Sequence, residues 1–131
     1  DVSNVTNMEA MFASAYSFNK PIGNWNVSNV TNMEYMFQNA RTFNQPLNNW
    51  NVSNVTNMKF MFFGNNSPSF NQPIGDWDVS SVTNMEAMFW LAVFNQDISS
   101  WDVSNVTNCQ DFGRLSDLNN NFYPNFNGNC D

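Results

Sequence analysis

A chain of 131 residues is one domain's worth, and 42% hydrophobic with 16% aromatic residues can bury a core, which excludes a disordered chain. Only 11% of residues are charged, and 4 Lys and Arg against 11 Asp and Glu leave a net charge of −7, a poor match for nucleic-acid phosphates or anionic membranes. No His is present, which removes the commonest general base and transition-metal ligand.

In chain order, one phrase is restated five times. "DVSNVTNMEAMF" opens at Asp1, "NWNVSNVTNMEYMF" follows at 24–37, "NWNVSNVTNMKFMF" at 49–62, and relatives begin at Asp76 and Ser100. Val5, Val30, Val55, Val82 and Val106 mark the frame at spacings of 25, 25, 27 and 24 residues. A period of this length predicts stacked supersecondary units, about five turns over 1–112 with 113–131 as a C-terminal cap of the same domain. The length changes fall in "FFGNNSPSF" and "MFWLAVF", where a loop absorbs them. No apolar run approaches the roughly 18 residues of a membrane span. No secretory signal begins at Asp1, and the first turn starts after the position of its Trp, so the chain reads as soluble and cut from a longer array, or covered there by another molecule.

Within a turn, Trp50 and Val52 alternate with Asn49, Asn51 and Ser53, the pattern of a short strand. Met33, Met36, Phe37 and Ala40 then fall at i, i+3, i+4 and i+7, the apolar face of a short helix. Thr31 with Glu34 forms the matching capping box, as do Thr6 with Glu9, Thr83 with Glu86 and Thr107 with Gln110, while Lys59 breaks it. All eight Met occupy two columns, Met8, Met33, Met58, Met85 and Met11, Met36, Met61, Met88, facing one interior with the Trp column and Phe18, Phe43, Phe70 and Phe94. Thioethers also suit Cu(I), but Met at this spacing fills cores, and no cofactor or metal is expected.

The ordered string W-[ND]-V-S-[NS]-V-T-N-[MC] recurs at four places and, without Trp, at Asp1. "FNQPLNNWNVSNVTNMKFMF" closely resembles the roughly 25-residue repeats of bacterial surface proteins of the BspA-like and Mycoplasma or Listeria type, which are similar to leucine-rich repeats. The resemblance implies an α/β, leucine-rich-repeat-like right-handed solenoid with one short strand and one short helix per turn. It also implies an extracellular or cell-surface, non-enzymatic module for adhesion, whose partner is a protein or glycan on a cell surface. No catalytic motif comes with it.

The remaining candidates are surface and terminal positions. Cys109 and Cys130 read as a disulfide holding the tail over the last turn, which implies an oxidising compartment; two free core thiols are the alternative. The outward columns Asn24, Asn26, Ser28, Asn49, Asn51, Ser53, Asp76, Asp78, Ser80, Asp102 and Ser104 form a candidate contact face, although it lacks the aromatic and Arg anchors that dominate binding energy. Its acids match no calcium-loop spacing. Asn4, Asn26, Asn29, Asn51, Asn54, Asn65 and Asn105 head N-x-[ST] sequons, either as candidate N-glycosylation sites or because turns and caps use Asn, Ser and Thr. Phe63 and Trp90 form a candidate aromatic patch, with Trp90 filling the gap of its shortened turn as the alternative. A second function class is a structural subunit of a filament, copies of the chain stacking end to end.

Overall fold

The computed structural model describes residues 1–64 and 70–130. We number the coils by repeat: coil 1 is 1–24, coil 2 is 25–49, coil 3 is 50–76, coil 4 is 77–100, and coil 5 is 101–117, followed by a tail, 118–130. The coils lie on one another in register, and the backbone of the segment after each Thr supplies the connection. The N–H of Met8 donates to the carbonyl of Asn32, Met33 to Asn57, Met58 to Asn84 and Met85 to Asn108. Three parallel rows start from Ala10, Phe12 and Ser14 and pass through the same coils. All four rows point their N–H groups toward coil 5, over donor–acceptor distances of 2.7 to 3.2 Å.

That pattern corrects the expected α/β solenoid with a strand and a helix in each turn. Helical N–H groups would bond four residues back. Here every second N–H leaves the coil, and those between bond three residues back, as Met36 does to Met33 and Gln38 to Tyr35. The segment is thus a run of tight turns, and the inward spacing of Met33, Met36 and Phe37 is met without a helix. Among the described residues the one regular element is the 3-10 turn Asn120–Phe122. Strands shrink to isolated parallel bridges at Asn7–Asn32, Asn32–Asn57, Asn57–Asn84 and Asn84–Asn108.

The turns require left-handed backbone at residues that are not glycine. Ala10, Tyr35, Phe60, Ala87 and Asp111 have φ between 51° and 57°, and Ser14, Asn39, Leu91 and Leu115 share a second such column. Each costs on the order of 1 kcal/mol or more and persists only where surrounding bonds demand it. They do so here, because the N–H groups of Ala10, Tyr35, Phe60 and Ala87 are themselves donors of the second row.

The capping boxes do not form either. Thr31, Thr56, Thr83 and Thr107 each send both backbone N–H and hydroxyl to the carbonyl of the preceding coil's Thr. Glu34 and Glu86 instead accept from Asn57 and Asn108 of the following coil, at 3.0 and 2.9 Å. Lys59, with no helix start to weaken, reaches Glu86 at 3.1 Å.

Inside the rings of amides lies the core. Met33, Met36, Met58, Met61, Met85 and Met88 are fully buried, whereas Met11, in the coil with a neighbour on one side, is 46% exposed. Phe12, Phe37, Phe62 and Phe89 stack at 5.5 to 5.6 Å, and Phe18, Phe43, Phe70 and Phe94 form a second file at 5.8 to 6.2 Å. The indole N–H groups of Trp50, Trp77 and Trp101 donate to the carbonyls of Ile22, Leu47 and Ile74, which lie 28, 30 and 27 residues earlier, so each Trp both fills volume and ties successive layers of the stack. Beyond coil 5, Cys109 and Cys130 form a disulfide, and Tyr123 and Phe126 pack edge-on against Phe112. Closing that loop contributes about 3 kcal/mol in the chain-entropy picture.

Two substitutions check this architecture by urea unfolding. Ala10→Gly should stabilise the chain by up to about 1 kcal/mol, since Gly adopts its φ freely, whereas in a helix the same change would cost about 1 kcal/mol. Trp50→Ala should cost about 3 to 5 kcal/mol through a cavity and the loss of the indole bond to the Ile22 carbonyl.

Candidate contact faces

The outward polar columns are a series of small turns. In coils 1 to 5 a side-chain oxygen of Asp1, Asn26, Asn51, Asp78 or Asp102 accepts the backbone N–H of the Ser two residues on, at 2.9 to 3.1 Å. In coils 2, 3 and 4 the Ser hydroxyl donates to the same oxygen. Asp97 and Ser99 repeat the arrangement at the neighbouring corner. One oxygen per residue is thereby committed to the local backbone, which positions the other half of the side chain toward solvent. The bonds from Ser80, Ser99 and Ser104 hold the carboxyls of Asp78, Asp97 and Asp102 below the usual carboxylate range.

The sequons separate by geometry. The amide nitrogens of Asn29, Asn54 and Asn105, to which a glycan would attach, donate at 2.7 Å to the carbonyls of Ser3, Ser28 and Ser80 in the coil before. A glycan there displaces an inter-coil bond. Asn26 and Asn51 use only their oxygens in turns, Asn4 is exposed in coil 1, and Asn65 lies outside the described residues.

Phe63 and Trp90 do meet, with ring centroids 5.3 Å apart and both half-buried. Two further aromatics join them. Phe60 stands 5.7 Å from Phe63 and 6.3 Å from Trp90, and Tyr35 stacks on Phe60 at 5.3 Å. Lys59 lies over the Phe60 ring while bonded to Glu86, which holds its ammonium above the usual lysine value. Helical periodicity does not mark Tyr35 and Phe60 as neighbours, because they occupy the positive-φ column, whose side-chain direction no helical wheel describes. Their shared position after [EK] was the available signal.

A trough follows the opposite edge of the coils, where the phrase "FN[KQ]P" turns toward Trp. One recess of about 180 Å³ is lined by Pro21, Gly23, Asn24, Pro46, Asn48 and Asn49, and a second of about 290 Å³ by Asn48, Pro73, Gly75, Asp76, Gln96 and Asp97. A side chain at Gly23 or Gly75 would meet the carbonyl of Pro46 or Asp97 at 2.7 or 2.6 Å, so the close approach of coils here requires glycine. In a neighbouring column, the N–H groups of Asn44, Asn71, Asn95 and Asn119 donate to the side-chain oxygens of Asn19, Asn44, Asn71 and Asn95. Among the described residues no three His, Cys, Asp or Glu side chains stand close enough to hold a metal ion.

Compared with known families, residues 1–68 and 63–128 each match the family described as Mycoplasma protein of unknown function, DUF285. The chain belongs to DUF285. Two successive matches agree with an array of repeats, and the Mycoplasma side of the sequence resemblance stands, while its leucine-rich-repeat refinement does not extend to the backbone. No curated protein and no solved structure matches the chain. In this DUF285 array no helix among the described residues is long and apolar enough to cross a membrane.

The depressed carboxyls give a pH signature. Their stabilisation is complete above the ordinary carboxylate value of about 4 and is lost as pH falls through their lower folded values. Urea midpoints measured against pH should drop less steeply below about pH 4 when Asp78, Asp97 and Asp102 are all replaced by Asn, which keeps the turn oxygen and removes the titration.

Proposed function

We propose that the chain is a non-enzymatic repeat module of a cell surface that makes contacts with proteins or other surface material through its lateral faces. The observation that carries this reading is the registration of outward side chains: the same ladder that stacks the coils holds each column of Asn, Asp, Ser and aromatic residues at one spacing and in one orientation. Such a face is rigid before a partner arrives, which reduces the ordering cost of binding. The disulfide supports an oxidising, extracellular setting, the two successive family matches support an array of repeats, and the surface role rests on the resemblance to bacterial surface repeats. Beads coated with the native chain should adhere to cultured cells more strongly than beads coated with reduced, alkylated and unfolded chain. Equal retention would remove the reading. Sedimentation velocity should give a single monomeric species at all concentrations, where a filament subunit would grow.

A further inference from the structure

We infer that the trough beside the Pro column binds an extended, cationic polypeptide segment, with its apolar residues over Pro21, Pro46 and Pro73 and its Lys or Arg in the recess between Asp76 and Asp97. The inference rests on the contact-module reading and names its partner. The floor is apolar and outward: the three prolines occupy one exposed column in coils 1, 2 and 3, and coil 4 places Asp97 at the same position. The trough therefore changes character along its length, from proline rings and neutral amides of Asn24, Asn48 and Asn49 to the carboxylates of Asp76 and Asp97 with Gln96 between coils.

Charge decides the occupant. Asp97 accepts from Ser99 through one oxygen only, leaving the second free, and neither Asp76 nor Asp97 has an ion-pair partner among the described residues. The basic groups of the chain are engaged or distant: Lys59 pairs with Glu86, Arg114 with Asp111, and Arg41 lies over the Tyr16 ring. Lys20 sits at the coil 1 end, in the column that Gln96 occupies in coil 4, so the trough has a positive and a negative end and favours one orientation of its guest. From coil 1 to coil 4 at strand-like spacing is about 14 Å, the length of four or five extended residues. Lys and Arg suit the acidic end because their aliphatic stems lie against a proline ring while the head reaches a carboxylate.

The probe is a fluorescein-labelled hexapeptide of four alternating valines and alanines followed by two arginines, with a counterpart ending in two glutamates. Fluorescence anisotropy with the full chain should show the arginine peptide binding at low ionic strength and releasing as salt screens the pair. Asp76→Asn with Asp97→Asn should weaken it by about tenfold or more, while Glu9→Gln, which removes the same kind of charge elsewhere, should leave it unchanged. The double variant keeps its fold in view, since Asn already makes the Asp97-type turn at Asn26 and Asn51. Equal binding of the glutamate peptide, unchanged affinity in the double variant, or a dimer that the double variant abolishes without any peptide binding would overturn the inference. Bead adhesion that survives the double variant would overturn this trough alone and leave the contact-module reading standing.

Discussion

The structure depends on four amide rows that run through the coils in one direction, beside a Thr row that points the other way. The peptide units ending at the first, third, fifth and seventh residues after "TN" point their N–H groups at the next coil in coils 1 to 4 and their carbonyls at the previous one in coils 2 to 5. The intervening amides close tight turns within the coil, so almost no backbone group of the segment goes without a partner where a coil has neighbours on both sides. The arrangement spends conformational strain at Tyr35, Phe60, Ala87 and their equivalents to aim those amides. Packing recovers it, because the same turns drive Met, Phe and Ala inward onto identical residues of the next coil.

Identity between coils is what makes the interior work. Phe37, Phe62 and Phe89 can lie nearly parallel at van der Waals spacing only because each coil presents the same ring at the same height. The Trp column adds a polar tie from the indole N–H to the carbonyl of an Ile or Leu in the layer beneath it. Where the repeat changes, the packing changes with it. Phe112 turns edge-on to Phe89, and the tail meets it with Tyr123, Phe126 and a disulfide in place of another regular coil.

The surface follows from the same constraint, applied outward. The column that holds Asn26 and Asn51 in coils 2 and 3 holds Asp78 and Asp102 in coils 4 and 5, so a geometrically uniform face changes charge along its length without any change in backbone. The trough is a product of stacking as well: Gly23 and Gly75 let neighbouring coils approach, and Asn24 and Asp97 line two recesses that meet at Asn48. Against this uniformity, Lys59 interrupts a column of Glu and Gln, and Asp97 follows a column of Pro.

The period, the inward columns and the pairing of Cys109 with Cys130 were legible in the residues alone, because burial demands apolar side chains at fixed positions whatever bonds the backbone makes. Phe63 and Trp90 were legible as aromatics sharing one column, and the structure sets their rings 5.3 Å apart. The helix was not there, since the spacing of Met33, Met36, Phe37 and Ala40 is shared by a helix and by paired turns that face a core. What distinguishes them is the destination of each N–H, and those acceptors lie some 25 residues away in another coil. Local propensity carries no record of such a partner, nor of the positive φ it imposes on Tyr or Phe. The sequence by itself thus determined which side chains lie inside and how often the chain returns, while the tertiary stack alone decided the backbone between those returns, because its hydrogen bonds exist only once neighbouring coils are in place.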